Sequence, residues 1–595
     1  MINKKKYITL AVAGLFSIQL MFSQSETFET VAFKAMQDQI EINLTNLKID
    51  KLKSPYYVGY MIIDANLYAV ETKLGGLITK TDGPLRSIET TVLVGDNKRN
   101  NLNFINNSYL SGWSFYIPLP IENSYEALSR ALWIETDVKY KNAAESMEAK
   151  LTALNQQNLP KEEVDLIDLF DVPITTTILP SQEITFDKVK VETLAKDLSA
   201  IFSSYPTLTN SGVNVYIFDA DALFASSEKI KYKLPFSLVC IRIYAETVAI
   251  DGEPLLDYIN LYFKTPDQIP AAEVLKKEIN QMASMLTQLR TAPGISETYS
   301  GPVLFEEQAA GELIAQCFVD NPNGLLASRK PINGYYANEN NMVQLLGKKV
   351  VSREISVSTK LDEKEYNGIP LIGYYEIDSQ GVVPEKNTKL IEDGVLKTLL
   401  TDRTPTLRSE KSTGSSCFAI SNGSLIGSLS SGILEVSTSY KTTYKELKEK
   451  LITKAKEEDY EYAYIVRKMA SPLANVPGLS AFLQSSYSGF SISRPIYVYR
   501  ISVKDGTEEL IRSVKISGMS IKSFKRIIGA INEKQVYNTL VNGKGRYYSN
   551  WGFALSGIPA SFIVPKAILF EELEIEKEKN IILKKESIVP NPLIQ

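Results

Sequence analysis

Histidine is missing from all 595 residues. It is the usual general base near neutral pH and the commonest zinc ligand. Its absence excludes a His-ligated zinc site, a Ser-His-Asp triad and a Cys-His dyad for the chain acting by itself. Carboxylates, Lys, Tyr, Ser and three cysteines remain for chemistry. Cys240, Cys317 and Cys417 are too few, and odd in number, for a disulfide framework. Cys240 lies in the apolar run Phe236 to Ile243 and reads as a small buried hydrophobe, while one pairing among the three stays open. Charge of one sign is also scarce: 65 basic residues face 69 acidic ones, for a net charge of −4. With no basic stripe, the footprint of a nucleic-acid binder is absent.

Long apolar runs are missing except at the start. Lys4, Lys5 and Lys6 precede an apolar stretch from Tyr7 to Phe22, followed by Ser23-Gln24-Ser25. That pattern predicts a secretory signal peptide over residues 1–24, since the stretch is shorter than the roughly 20 residues a membrane span needs. No cysteine lies near the cleavage region to carry a lipid. The mature protein is expected to be periplasmic or otherwise exported and soluble, with no integral membrane segment after cleavage.

Hydrophobic residues make up 44% and charged residues 23%, an ordinary globular balance. The length suits two to four domains of roughly 100–200 residues each. Helical spacing predicts helices over 27–52, 122–158, 189–204 and 271–289, and from about Glu306 to Phe318. Thr443-Tyr444-Lys445-Glu446 is a capping box that opens another. Ser520 to Ile531 also reads as helical. Alternation predicts strands within 56–94, with turns at Gly75-Gly76 and Asp82-Gly83-Pro84. Further strands are expected at 213–218, 229–234, 236–250, 255–263, 299–305, 346–358, 371–377, 460–468, 496–503 and 508–516. Asp393-Gly394 predicts a tight hairpin turn. Gly414 to Ser431 reads as a Ser/Gly-rich loop, and the charged tail Glu571 to Ser587 as solvated. The class is α+β: two domains, 25–294 and 295–595, with largely antiparallel sheets and packed helices, divided at Pro293-Gly294.

Several strings, in order along the chain, carry a resemblance. They include Thr91-Val92-Leu93-Val94-Gly95-Asp96, Ala131-Leu132-Trp133-Ile134-Glu135-Thr136-Asp137, Ser300-Gly301-Pro302-Val303-Leu304-Phe305-Glu306 with Ala309-Ala310, Leu390-Ile391-Glu392-Asp393-Gly394, Leu400-Thr401-Asp402-Arg403-Thr404-Pro405 and Val564-Pro565-Lys566-Ala567-Ile568-Leu569-Phe570-Glu571. Together they resemble the TldD/PmbA family of metallopeptidases, as an exported Bacteroidetes-type member. The resemblance implies a TldD/PmbA-like two-domain fold with the metal site in the C-terminal domain. Active members are zinc peptidases with a His-Glu-x-x-x-His helix and a later cysteine ligand, and some pair with a subunit that lacks the motif. Here Phe305 and Ala310 fall on the histidine positions, and Glu306 on that of the catalytic glutamate. The implied reading is a zinc-site-degenerate, non-catalytic subunit with no cofactor and no metal ligands, acting on peptides. Its implied partner is a TldD-type homologue, as a heterodimer, or a second copy as a homodimer. Two alternatives stand beside it: an active peptidase with an unusual metal site, and a peptide-binding envelope scaffold.

The individual residues also have plainer readings. Glu306, Glu307 and Glu312 have the chemistry to hold a hard cation, but acidic residues at a helix start are accounted for by the helix dipole. Cys317 and Cys417 fall short of the four ligands zinc needs. Ser412 to Ser431 lacks the Gly-Lys-Ser/Thr ending of a P-loop. Ile496-Tyr497-Val498-Tyr499 reads as sheet packing.

Overall fold

The computed structural model describes residues 27–593 apart from 50–51, 107–118, 158, 183, 334–339, 422, 474–491, 544–554, 580–582, 585–588 and 590. The leader expected over residues 1–24 lies outside the described residues. Among the described residues no helix is long and apolar enough to cross a membrane.

The first half opens with α1 (Phe28–Asn46), capped by the Thr27 side chain, which buries Val31, Ala35 and Met36. Then come β1 (Pro55–Lys73) and β2 (Gly76–Val94), joined at Leu74 and Gly75 with φ of 47° and 82°. A two-residue hairpin turn of this hand needs positive φ at both central positions. The turn expected at Asp82-Gly83-Pro84 is not there: these residues lie within β2, opposite Tyr68, Leu67 and Asn66 of β1. β2 is an edge strand, where the proline's missing N–H costs no ladder bond.

After α2 (Tyr125–Gln156), α3 (Lys161–Asp165), β3 (Thr176–Ile178) and α4 (Lys188–Ala200) come β4 (Asn210–Ser226), β5 (Lys231–Val248), β6 (Pro254–Phe263) and α5 (Ala272–Leu289). The sheet runs β2-β1-β4-β5, with β3 and β6 both on the far side of β5. The two strands expected at 229–234 and 236–250 are one. Pro235 sits inside β5, between the stretch that meets β3 and the stretch that meets β6. One face of this sheet packs under α4 and α5. The other meets Ile372, Ile420, Leu425 and Leu540 of the second half.

The second half is built from β7 (Tyr299–Glu306), α6 (Gln308–Ile314, continuing as a π-turn through Asp320), β8 (Ile355–Thr359), β9 (Glu365–Tyr366), β10 (Ile369–Pro370), β11 (Lys389–Glu392), β12 (Val395–Leu396), β13 (Ser416–Ser421), β14 (Ser424–Leu429), β15 (Ile433–Thr438) and α7 (Tyr444–Glu457). It continues with β16 (Tyr462–Met469), β17 (Pro495–Ser502), β18 (Glu508–Ile511), β19 (Val514–Ser517), β20 (Ile527–Ala530), β21 (Lys534–Val541), β22 (Ile558–Pro565) and β23 (Ala567–Lys577). Two sheets, β12-β11-β8-β15-β22-β21 and β18-β17-β16-β7-β23-β19, enclose a core that includes Phe305, Val357, Leu434, Phe562 and Phe570. α7 covers the outer face of the second sheet through Leu447 and Leu451. The molecule is α+β with mostly antiparallel sheets.

Local expectations fail where tertiary pairing overrides pattern. Glu306 ends a strand rather than opening a helix, because it pairs with Ala567 of β23. Glu307 then takes φ 54° and the helix starts at Gln308. The loop expected over Gly414 to Ser431 contains the β13–β14 hairpin, whose Phe418, Ile420 and Leu425 pack into the core shared with the first half's sheet. Ser520 to Ile531 is a 3₁₀ turn (Ile521–Arg526) followed by β20, whose β-branched Ile527 pairs with Phe570. Of the strand expected at 346–358 only 355–359 forms, and 371–377 is not a strand. The start of the charged tail is the end of β23, with Leu573 and Ile575 buried between exposed glutamates.

Buried ion pairs tie the halves together. Glu253, in the β5–β6 turn, receives Arg494 and Arg512, and Arg512 also reaches Asp251 at 2.7 Å. Asp168 receives Lys150 at 2.6 Å and Arg329 at 3.1 Å.

Candidate functional site

A cavity of about 440 Å³ lies where β6 and α5 of the first half meet α6, β16, β17 and β21 of the second. Residues of alternate positions on β6 share a face, and Tyr258, Asn260 and Tyr262 all reach the cavity. Opposite them stand Gln308, Lys468, Tyr497 and Tyr537.

Lys468 reaches the cavity from a stretch of β16 with irregular register against β17, the kind of bulge that re-aims a side chain. Its ammonium pairs with Asp257 at 2.6 Å and lies 5.2 Å from the ring centres of both Tyr258 and Tyr497. The Tyr497 hydroxyl donates to the same aspartate. Gln308 accepts from the Met469 N–H at 2.8 Å and donates to the Met469 carbonyl at 3.3 Å and the Tyr537 hydroxyl at 3.2 Å. Tyr537 in turn donates to Glu312, whose other oxygen accepts from Gln316 at 2.7 Å. Burial pushes the Glu312 carboxyl up to about 7, against the opposing hydrogen bonds from Tyr537 and Gln316. The wall thus offers phenols, amides, a fixed ammonium, the paired Arg467, the carboxyls of Glu278 and Glu307 and, behind Tyr537, that of Glu312. These groups suit hydrogen bonding to a polar chain. No cysteine or serine with an adjacent base lines the cavity among the described residues.

Glu306 lies elsewhere. Strand alternation turns Phe305 into the core between the sheets, where its ring meets Phe570 edge-on at 5.6 Å. Glu306 faces the other way and is paired with Arg467, which also holds Glu508 at 2.8 Å. Burial raises the Tyr444 phenol, reinforced by its hydrogen bond to Glu306. Ala310 is fully buried. Burial also raises the Glu307 carboxyl, helped by the Glu306 charge. All three cysteines are free and buried.

Zinc does not fit this arrangement. Phe305 and Ala310 carry no donor atom, and the Glu306 carboxylate is committed to Arg467. Among the described residues no three His, Cys, Asp or Glu side chains come together to hold a metal ion. The hard-cation alternative for Glu306, Glu307 and Glu312 is therefore not supported by their placement.

Of the residues that line the cavity, the sequence singled out Glu307, as a possible cation ligand, and Tyr497, as sheet packing, and Glu312 stands behind Tyr537. The lining residues come from positions 258 to 539 and share no local motif. One signal was available: Arg242 is a lone charge inside the apolar run Phe236 to Ile243, and in the structure it lies next to the cavity wall.

Fold and site together define an α+β protein with an open cavity between its two halves. Residues 297–455, from β7 to α7, match the PmbA/TldA metallopeptidase C-terminal domain. Among solved structures, a Thermotoga maritima protein described as a proposed modulator of a DNA gyrase matches at 14% identity and TM-score 0.54, covering 92% of this chain and 100% of that one. TldE from Thermococcus kodakarensis matches at 11% identity and TM-score 0.50, over 91% and 99%. A Bacteroides thetaiotaomicron protein, likewise a proposed modulator of DNA gyrase, matches at 11% identity and TM-score 0.54, over 92% and 98%. No curated protein matches. Residues 297–455 thus match that family's C-terminal domain, and the chain as a whole shares the fold of these solved structures.

Proposed function

We propose that this protein is a non-catalytic TldD/PmbA member that binds peptide in the cavity between its halves and serves, outside the cytoplasm, as partner to a catalytic homologue. One observation carries this reading: Phe305 and Ala310, which the resemblance sets at the family's histidine positions, are both fully buried, while a cavity with several polar groups lies beside the same helix. In this reading Glu306 is a strut, ion-paired across to Arg467 of β16, and not a base. This reading takes the two halves as domains, 25–294 and 295–595.

The test is particle mass in solution, for the protein alone and co-expressed with a homologue bearing an intact His-Glu-x-x-x-His motif. A heterodimer, or a homodimer of the chain alone, is expected, since closed two-fold pairing is the commonest assembly. A monomer in both samples overturns the partner reading. An active peptidase is the second outcome of the same preparation, detected as peptide hydrolysis by the chain alone.

A further inference from the structure

Arg242 has no solvent exposure. Its Nε, Nη1 and Nη2 make no hydrogen bond among the described residues. The guanidinium carbon lies 5.6 Å from the ring centre of Tyr216, a weak cation–π contact. Other buried arginines of the chain are treated differently: Arg403 pairs with Glu228, and Arg512 with Glu253. A buried cation without a partner is strongly unfavourable.

The position of Arg242 relates this charge to the cavity. It stands in the middle of β5, directly opposite Asn260 of β6. Residues directly opposite in an antiparallel pair share a face, so Arg242 lies on the face of Tyr258, Asn260 and Tyr262, which line the cavity. The Asn260 Oδ1 is itself buried and without a partner among the described residues. Turning that amide toward Arg242 does not settle the account. A guanidinium has five N–H donors and one amide oxygen accepts at most two. The two cations that line the cavity are already paired, Arg467 with Glu306 and Glu508 and Lys468 with Asp257. Arg242, one strand behind the lining residue Asn260, is therefore the cation next to this cavity left to meet an incoming anion.

We infer that the cavity selects peptides by a carboxylate, which Arg242 receives through its planar fork beside Asn260. This rests on the peptide-binding reading above and adds the chemistry of recognition. The fork geometry matches a carboxylate in a bidentate pair. A peptide can supply one at its free C-terminus or on an acidic side chain.

The experiment is calorimetric titration of the full mature chain and of Arg242→Gln with three N-acetylated pentapeptides. One has a free C-terminus, one is its C-terminal amide, and one is an amide with an internal Glu. The wild type is expected to prefer at least one carboxylate peptide over the neutral amide by about tenfold or more. The free-acid and Glu arms tell the two sources apart. In Arg242→Gln that preference is expected to vanish while the affinity for the neutral amide is kept. Equal binding of all three by the wild type, or an unchanged preference in the variant, overturns the inference.

If no peptide binds, the peptide reading fails by itself, and the anion site is then read with sodium propionate. At constant ionic strength, propionate is expected to raise the melting temperature of the wild type relative to chloride. No rise there overturns the carboxylate site without reference to any variant. Arg242→Met gives an independent check: an unpaired buried charge replaced by an apolar side chain raises the melting temperature of the ligand-free protein, whereas a lowered one shows that the guanidinium already serves the fold.

Discussion

Phe305 and Glu306 are neighbours at the end of β7 and face opposite sides of their sheet. The ring packs against Phe570 in the core, and the carboxylate pairs with Arg467 beneath α7. Because side chains alternate along a strand, these two residues do not address one shared metal from this backbone. The place of a zinc helix is thus divided between a strand end and a helix that starts at Gln308. What faces the cavity from this stretch is Glu307, Gln308 and, through Tyr537, Glu312.

Glu312 makes stability depend on pH. Its folded value is raised from 4.5 to about 7, first by burial. Across that window the folded protein holds a proton that the unfolded chain has released, so stability falls as pH rises from 4.5 to 7 and the penalty is complete above 7. Glu312→Gln removes the penalty. The variant's stability relative to wild type is expected to increase between about pH 5 and about pH 8, by up to about 3 kcal/mol. Urea unfolding at both pH values measures this, and a difference independent of pH contradicts it.

Asp168 balances two buried cations. Both it and Lys150 are fully buried, and Arg329 completes the group. Burial lowers the Lys150 ammonium to about 8 against the opposing pull of Asp168. Asp168→Ala leaves both cations uncompensated and is expected to cost about 3–5 kcal/mol in unfolding experiments, as for other buried pairs broken from one side. A loss below about 1 kcal/mol is incompatible with the geometry.

The thiols give a simple check of packing. Burial pushes Cys240 up to about 11 and Cys417 up to about 12, the latter helped by the Asp378 charge, and raises Cys317 as well. A thiol reagent reacts with thiolate, so native protein at mildly alkaline pH is expected to label slowly or not at all. After denaturation all three cysteines are expected to react without added reductant. Fewer than three reactive thiols shows a disulfide that the structure does not contain.

Much of the architecture was legible locally. The Thr443 capping box opens α7, and Asp393-Gly394 takes the two positive φ values its hairpin requires. The failures share a cause: neighbours distant in sequence decide the outcome. Glu306 is held in a strand by Ala567, and Glu571 to Lys577 by β7 and β19. Pro84 passes for a turn until β2 is seen to be an edge. The site was less legible than the fold. Lys468 reaches the cavity through a bulge, and its partner Asp257 lies some two hundred residues away in sequence. No spacing rule connects them. The resemblance drew attention to Phe305, Glu306 and Ala310, and the residues that line the cavity come mostly from other elements.

Metal content tests the central claim most directly. Purified protein, incubated with excess zinc and dialysed, is expected to retain far less than one zinc per chain by elemental analysis, because a zinc site needs three or four converging N, S or carboxylate ligands. About one zinc per chain, retained through dialysis, contradicts the proposed reading of a chain that binds peptide without metal chemistry.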